Sequence, residues 1–155
     1  MGFDFGWLGP IYILVVAWPL TRIDIRERRL PNRLTLPAFP ITLLGQLLAV
    51  AVGADLWSLL LALLAAVVAF SVCLALNRYV GLGMGDVKLI AAMTWALAWF
   101  SPMLPAIALL VGLIIAGAVS LTLVALRKTN MGSSIALGPY LLIGFALSLI
   151  VQGLS

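Results

Sequence analysis

Two aspartates stand where apolar sequence meets a polar break: Asp24 in TRIDIRERRLPNRLTLP and Asp86 in GLGMGDVKLIAAM. Arg22, Arg26, Arg28, Arg29 and Arg33 crowd the first, and Gly81, Gly83 and Gly85 precede the second. Two carboxylates held close together share one proton and titrate as a pair. The ionised member can take a proton from a water lying between them. The protonated member can polarise a peptide carbonyl and later protonate the leaving amine. That is aspartic-protease chemistry, and it uses no metal, histidine or thiol.

The rest of the chain offers little else to catalyse with. It has no histidine, and its single cysteine, Cys73, lies in an apolar run. A lone cysteine closes no internal disulfide, and no Cys-x-x-Cys pair is present to hold zinc. No metal or other cofactor is expected. The glycines before Asp86 permit close backbone approach by an extended substrate, while the spacing lacks both the dinucleotide fingerprint and the Gly-Lys-Ser/Thr phosphate loop. Lys88 reads in two ways, as a cation that keeps a carboxylate ionised or as an anchor at the membrane interface. Taken singly, the aspartates also have structural readings. Asp86 could cap a helix, and Asp24 could pair with Arg28 four residues on.

The elements that must position these residues follow from composition. Of 155 residues, 65% are hydrophobic and 9% charged, against roughly a quarter charged in a soluble domain. The surface must therefore face lipid. Apolar runs near residues 9–24, 35–53, 56–77, 87–101, 103–126 and 134–153 predict an all-α polytopic membrane protein, a bundle of about six transmembrane helices. The connections are short, so residues 1–155 form a single transmembrane domain.

The basic residues orient it. Five arginines fall between the first and second passes, Arg78 and Lys88 between the third and fourth, and Arg127 and Lys128 between the fifth and sixth. Asp4 and Asp55 lie on the other side with no basic residue. By the positive-inside rule the basic loops are cytoplasmic and both termini outside, N-out/C-out. Asp24 and Asp86 then share a face and a depth. The net charge of +4 is a product of topology, and nucleic acid is not expected as a partner. The opening MGFDFGWLGP lacks the basic region of a cleaved signal.

With these residues placed, the chain resembles the prepilin peptidases, the G-x-G-D intramembrane aspartic proteases that remove leaders from type IV prepilins. DIRERRLPNRLTLP is similar to the family's first-aspartate motif, GMGDVKLIAAM to its second, and IALGPYLLIGFAL to the Gly-Pro opening of the last helix. The resemblance implies an endopeptidase that cuts prepilin-like or pseudopilin precursors, on the cytoplasmic face of the inner (cytoplasmic) membrane, between a basic leader and an apolar helix. It carries Asp24 and Asp86 over as the catalytic pair, with Gly83, Gly85 and Lys88 in the active-site loop. Pro31, Asn32, Gly138 and Pro139 become structural residues near the site: Pro31 fixes φ, Asn32 is a natural cap, and Gly138–Pro139 opens a helix. Longer family members carry an N-terminal region with paired Cys-x-x-Cys motifs and also N-methylate their product. This chain starts at its first pass, so the resemblance implies a peptidase without methyltransferase activity.

Other classes are distinguishable. Presenilin-like proteases share G-x-G-D but add Tyr-Asp and Pro-Ala-Leu motifs, whereas here Ile23 precedes Asp24 and no Pro-Ala-Leu occurs. A small membrane transporter would place its carboxylates mid-membrane. An inactive secretion-system scaffold of the same fold would not need both aspartates. Ala92, Ala96, Gly112 and Ala116 read as close-packing positions within the bundle. Oligomeric state has no signature in the sequence.

Overall fold

The structure, a computed structural model, describes residues 4–126 and 136–154, and its regular elements are helical throughout. A 3-10 turn, Phe5–Trp7, leads into α1 (Leu8–Glu27), and the single turn α2 (Asn32–Thr35) precedes α3 (Ala38–Ala51). Then come α4 (Leu56–Val80), α5 (Met84–Ala98), α6 (Leu104–Ala125) and α7 (Gly138–Leu154). Backbone groups in lipid must be satisfied internally, which is why an apolar chain of this kind is built from helices. Arg127 and Lys128 lie outside the described residues.

The ends of these helices are written in the sequence. Asp4 accepts the Gly6 N–H at 2.8 Å, and Asp55 caps α4 by accepting the Trp57 N–H at 3.0 Å. The two aspartates assigned to the non-basic side are therefore both helix caps. Gly53, at φ 108°, closes α3. The Gly53 and Ala54 amides reach back to Val50 and Ala49, which is the Schellman pattern. Gly81, at φ 82°, ends α4 in the same left-handed region.

Four stretches are long and apolar enough to cross a membrane: Phe5–Glu27, Asn32–Ala51, Leu56–Val80 and Leu104–Ala125. The other two predicted passes are shorter, α5 with 15 residues and α7 with 17. For α5 the reason is its position. Every residue from Leu89 to Ala98 is buried, so protein surrounds it and lipid thickness does not dictate its length. On the α4 side, the buried Ala62 and Ala66 share an apolar cluster with Trp95 and Ala98 of α5, while Ala92 and Ala96 of α5 lie in the larger central cluster. The predicted run at 35–53 begins as a separate turn, because Pro37 sits at the junction ahead of α3.

Polar groups inside the bundle are paired. Gln46 is fully buried on α3, where it accepts the Trp95 indole N–H at 2.8 Å and donates to the Trp95 carbonyl at 3.4 Å. Elsewhere glycines let backbones meet. A methyl built on Gly144 of α7 would run into the Ala108 carbonyl, and one on Gly112 of α6 would lie 2.9 Å from the Tyr140 carbonyl oxygen. Gly112 and Ala116 thus serve the α6–α7 seam. Gly117, on the same helix, faces open space.

These contacts set a stability contrast. Gly144→Ala overfills the seam and should cost about 1–3 kcal/mol, read as a lowered midpoint of thermal unfolding in detergent. Gly117→Ala should leave that midpoint unchanged or raise it slightly.

Candidate active site

Asp24 occupies the last turn of α1. The helix stops at Arg28, whose backbone is left-handed at φ 52°, and the Arg28 N–H donates to the Asp24 carbonyl at 2.8 Å. The Asp24 side chain is 4% exposed. Its Oδ2 accepts the Gly138 N–H at 3.0 Å. Gly138 is the first residue of α7, and the first amides of a helix have no partner within it. A carboxylate from one helix thus caps the start of another, in the favourable field of its N-terminus. The close approach demands glycine, since a methyl on residue 138 would lie 2.7 Å from that same Oδ2.

Asp86 is the third residue of α5, with Gly83 in the cap position. The reading of Asp86 as the helix cap is therefore corrected: the helix starts three residues earlier than the hydrophobic run at 87–101 suggests. Its carboxylate folds back towards Gly83, where an added methyl would lie 3.0 Å from Asp86 Oδ2. Asp86 is half-buried, and the charge of Asp24 acts on it. The bundle brings together, at one end, two carboxylates 62 residues apart in the chain, each approached by a helix-start glycine.

The neighbouring residues divide. Gly83 lies in the short link between α4 and α5, whereas Gly85 and Lys88 lie inside α5 and not in a loop. The helix captures them because the glycine-rich break is only residues 81–83 long. Gly85 is held against the α1–α2 connection, since a methyl there would lie 2.8 Å from Leu30 Cβ. The Lys88 ammonium donates to Asn32 Oδ1 at 2.8 Å. It ties α2 to α5 across an exposed surface. Asn32 is correspondingly the first residue of α2 and not its cap. Pro31 takes the cap position with an extended backbone, φ −70° and ψ 132°. Pro139 is the second residue of α7 and lines an apolar groove of about 360 Å³ with Leu14, Ala17, Trp18 and Thr21 of α1. Glu27 and Arg29 pair at 3.4 Å on the surface, where both side chains are more than half exposed. Such exposed pairs contribute little.

Two features here have no strong sequence signal. Leu30, 7% exposed, touches both the α5 and α7 starts, yet in the sequence it is one leucine among many. The Tyr12 hydroxyl donates to the Leu34 carbonyl at 3.0 Å, holding the α2 turn against α1. A lone tyrosine in an apolar run hints at such a bond without naming its acceptor. Among the described residues no cluster of His, Cys, Asp and Glu is arranged to hold a metal ion.

Comparison with known proteins gives one result. The model of the type IV leader peptidase family matches residues 11–121. No curated protein and no solved structure matches.

The Gly138 contact makes a specific demand on the site. Gly138→Ala should displace the Asp24 carboxylate; with Asp24 read as a reacting group, a misplacement of about 1 Å predicts peptidase turnover about 10-fold to 100-fold lower. Turnover per folded enzyme in detergent, against Gly117→Ala as control, checks it.

Proposed function

Because the chain belongs to the type IV leader peptidase family, and is thereby a multi-pass membrane protease, we propose that it is an aspartic endopeptidase whose catalytic pair is Asp24 and Asp86. Its substrates are prepilin-like or pseudopilin precursors, and the bond it hydrolyses lies between a basic leader and an apolar helix. The observation that carries this reading is the placement of two carboxylates from distant helices at one end of the bundle, Asp24 buried and Asp86 half-buried, with Leu30 between the helix starts beside them.

The chemistry follows from that pair. One carboxylate removes a proton from a water as its oxygen adds to the peptide carbonyl carbon. The other, protonated, donates a hydrogen bond to the carbonyl oxygen. Collapse of the tetrahedral intermediate breaks the C–N bond, and the departing nitrogen leaves with a proton as an amine. The Gly138 amide holds Asp24 from behind, and the missing side chain at Gly83 keeps the space beside Asp86 open. Glycine at 83, which is exposed, lets a substrate backbone approach.

The basic residues support a cytoplasmic location for this end of the bundle, in the inner (cytoplasmic) membrane. The apolar groove between α1 and α7 supports a route for the precursor's apolar helix. It runs from Leu14 to Thr21, one turn short of Asp24, and reaches Pro139 beside Gly138. The leader would then extend from the membrane at the level of the two carboxylates. Residues 1–155 act as one peptidase domain.

Co-expression with a tagged precursor bearing a basic leader, a glycine and an apolar helix tests the assignment, with products read by mass spectrometry. Wild type should release the leader and leave an unmethylated new terminus. Asp24→Asn and Asp86→Asn should each lower cleavage by at least about 10²-fold, the scale of a lost acid or base. Cleavage at wild-type rate in either variant sinks the paired mechanism.

A further inference from the structure

Leu30 lies in the connection between α1 and α2, six residues after Asp24 and remote in sequence from Asp86. It is 7% exposed and belongs to the central apolar cluster with Val87, Leu89 and Leu141. Its two ends meet two different helix starts. On one side, a methyl placed on Gly85 would lie 2.8 Å from Leu30 Cβ and 3.1 Å from its backbone nitrogen. On the other, a methyl placed on Gly138 would lie 3.4 Å from Leu30 Cδ2. Gly85 is the residue immediately before Asp86, and Gly138 supplies the amide that holds Asp24. The backbone of Leu30 thus bears on the helix that carries one carboxylate, and its side-chain tip bears on the helix that clamps the other.

The geometry points to Leu30 as the positioning residue that sets the separation of Asp24 and Asp86, a spacer wedged between the first turns of α5 and α7. The assignment rests on the reading of those aspartates as the catalytic pair. An aliphatic side chain is suited to the task because it fills a fixed volume and offers the carboxylates no hydrogen bond. Glycine at 85 lets the Leu30 backbone lie directly against α5, and the Leu30 tip faces the α-carbon of Gly138 across the space a methyl would take, where packed atoms yield little. Shortening the spacer lets α5 and α7 shift relative to one another. A shift of about 1 Å between reacting groups is worth roughly 100-fold in rate. Substrate binding along the helices, which does not involve Leu30, is left intact.

The test uses the full chain in detergent or vesicles and a precursor peptide with a basic leader and an apolar helix. Leu30→Ala should lower kcat about 10-fold to 100-fold with KM unchanged within about twofold, and Leu30→Met, close in volume, should recover most of the loss. Leu97→Ala, at a fully buried leucine at the far end of α5, makes a cavity of the same chemistry away from the site. It should lower the thermal midpoint but keep kcat per folded molecule. An unchanged kcat in Leu30→Ala, or an equal kcat loss in Leu97→Ala, overturns the spacer. So does a loss that Leu30→Met fails to recover. Asp24→Asn and Asp86→Asn are assayed alongside. If both are inactive while Leu30→Ala is unimpaired, only the spacer fails. If either aspartate variant still cleaves at wild-type rate, the pair fails and the spacer with it.

Discussion

One hydrogen bond joins the two parts of the chain that matter most to each other, the 3.0 Å contact from the Gly138 amide to Asp24. It meets two needs at once. Among the described residues it gives an amide at the start of α7 a partner inside the bundle, and it gives the buried carboxylate at the end of α1 a donor. Groups of this kind are expensive to leave unsatisfied where water is scarce. Much of the local architecture serves the contact: the left-handed stop at Arg28, the bare α-carbon at 138 and the Leu30 wedge beneath. The α6–α7 seam, close-packed through Gly112 and Gly144, then fixes the rest of α7 behind it.

Much of this was legible before any coordinates. Charge content alone assigned the chain to the membrane, and the apolar runs located every long helix, because a bilayer demands uninterrupted apolar stretches of known length. Asp24 and Asp86 stood out for the same reason, as carboxylates at the ends of such runs. Their meeting depends on how the helices pack, which the sequence does not state. The start of α5 is not legible because glycines at 83 and 85 look like a loop, yet the break covers only residues 81–83 and residue 85 lies in the helix. The same holds for Lys88: in a loop it would have been free to reach a carboxylate, but on the second turn of α5 its ammonium meets Asn32.

Leu30 was invisible for a different reason. Aliphatic residues announce a core by their periodicity, and Leu30 belongs to no helix. Its importance comes from what the two flanking glycines lack, and only three-dimensional contact joins residues 30, 85 and 138. The Gln46–Trp95 pair is the converse case. An amide within ITLLGQLLAV is conspicuous, but its partner lies 49 residues away on a helix whose own pattern is apolar on all faces.

The brevity of α5 reaches beyond packing. Fifteen residues extend about 22 Å at 1.5 Å per residue, against a hydrocarbon layer of about 30 Å. Something other than this helix must make up the difference, and Asp86 sits on its first turn. At that length the ends of the helix, and the carboxylate on its first turn, fall short of at least one boundary of such a layer. In this chain the bilayer is not a uniform slab that the polypeptide crosses. It is a solvent whose thickness a helix enclosed by protein, as α5 is, need not match.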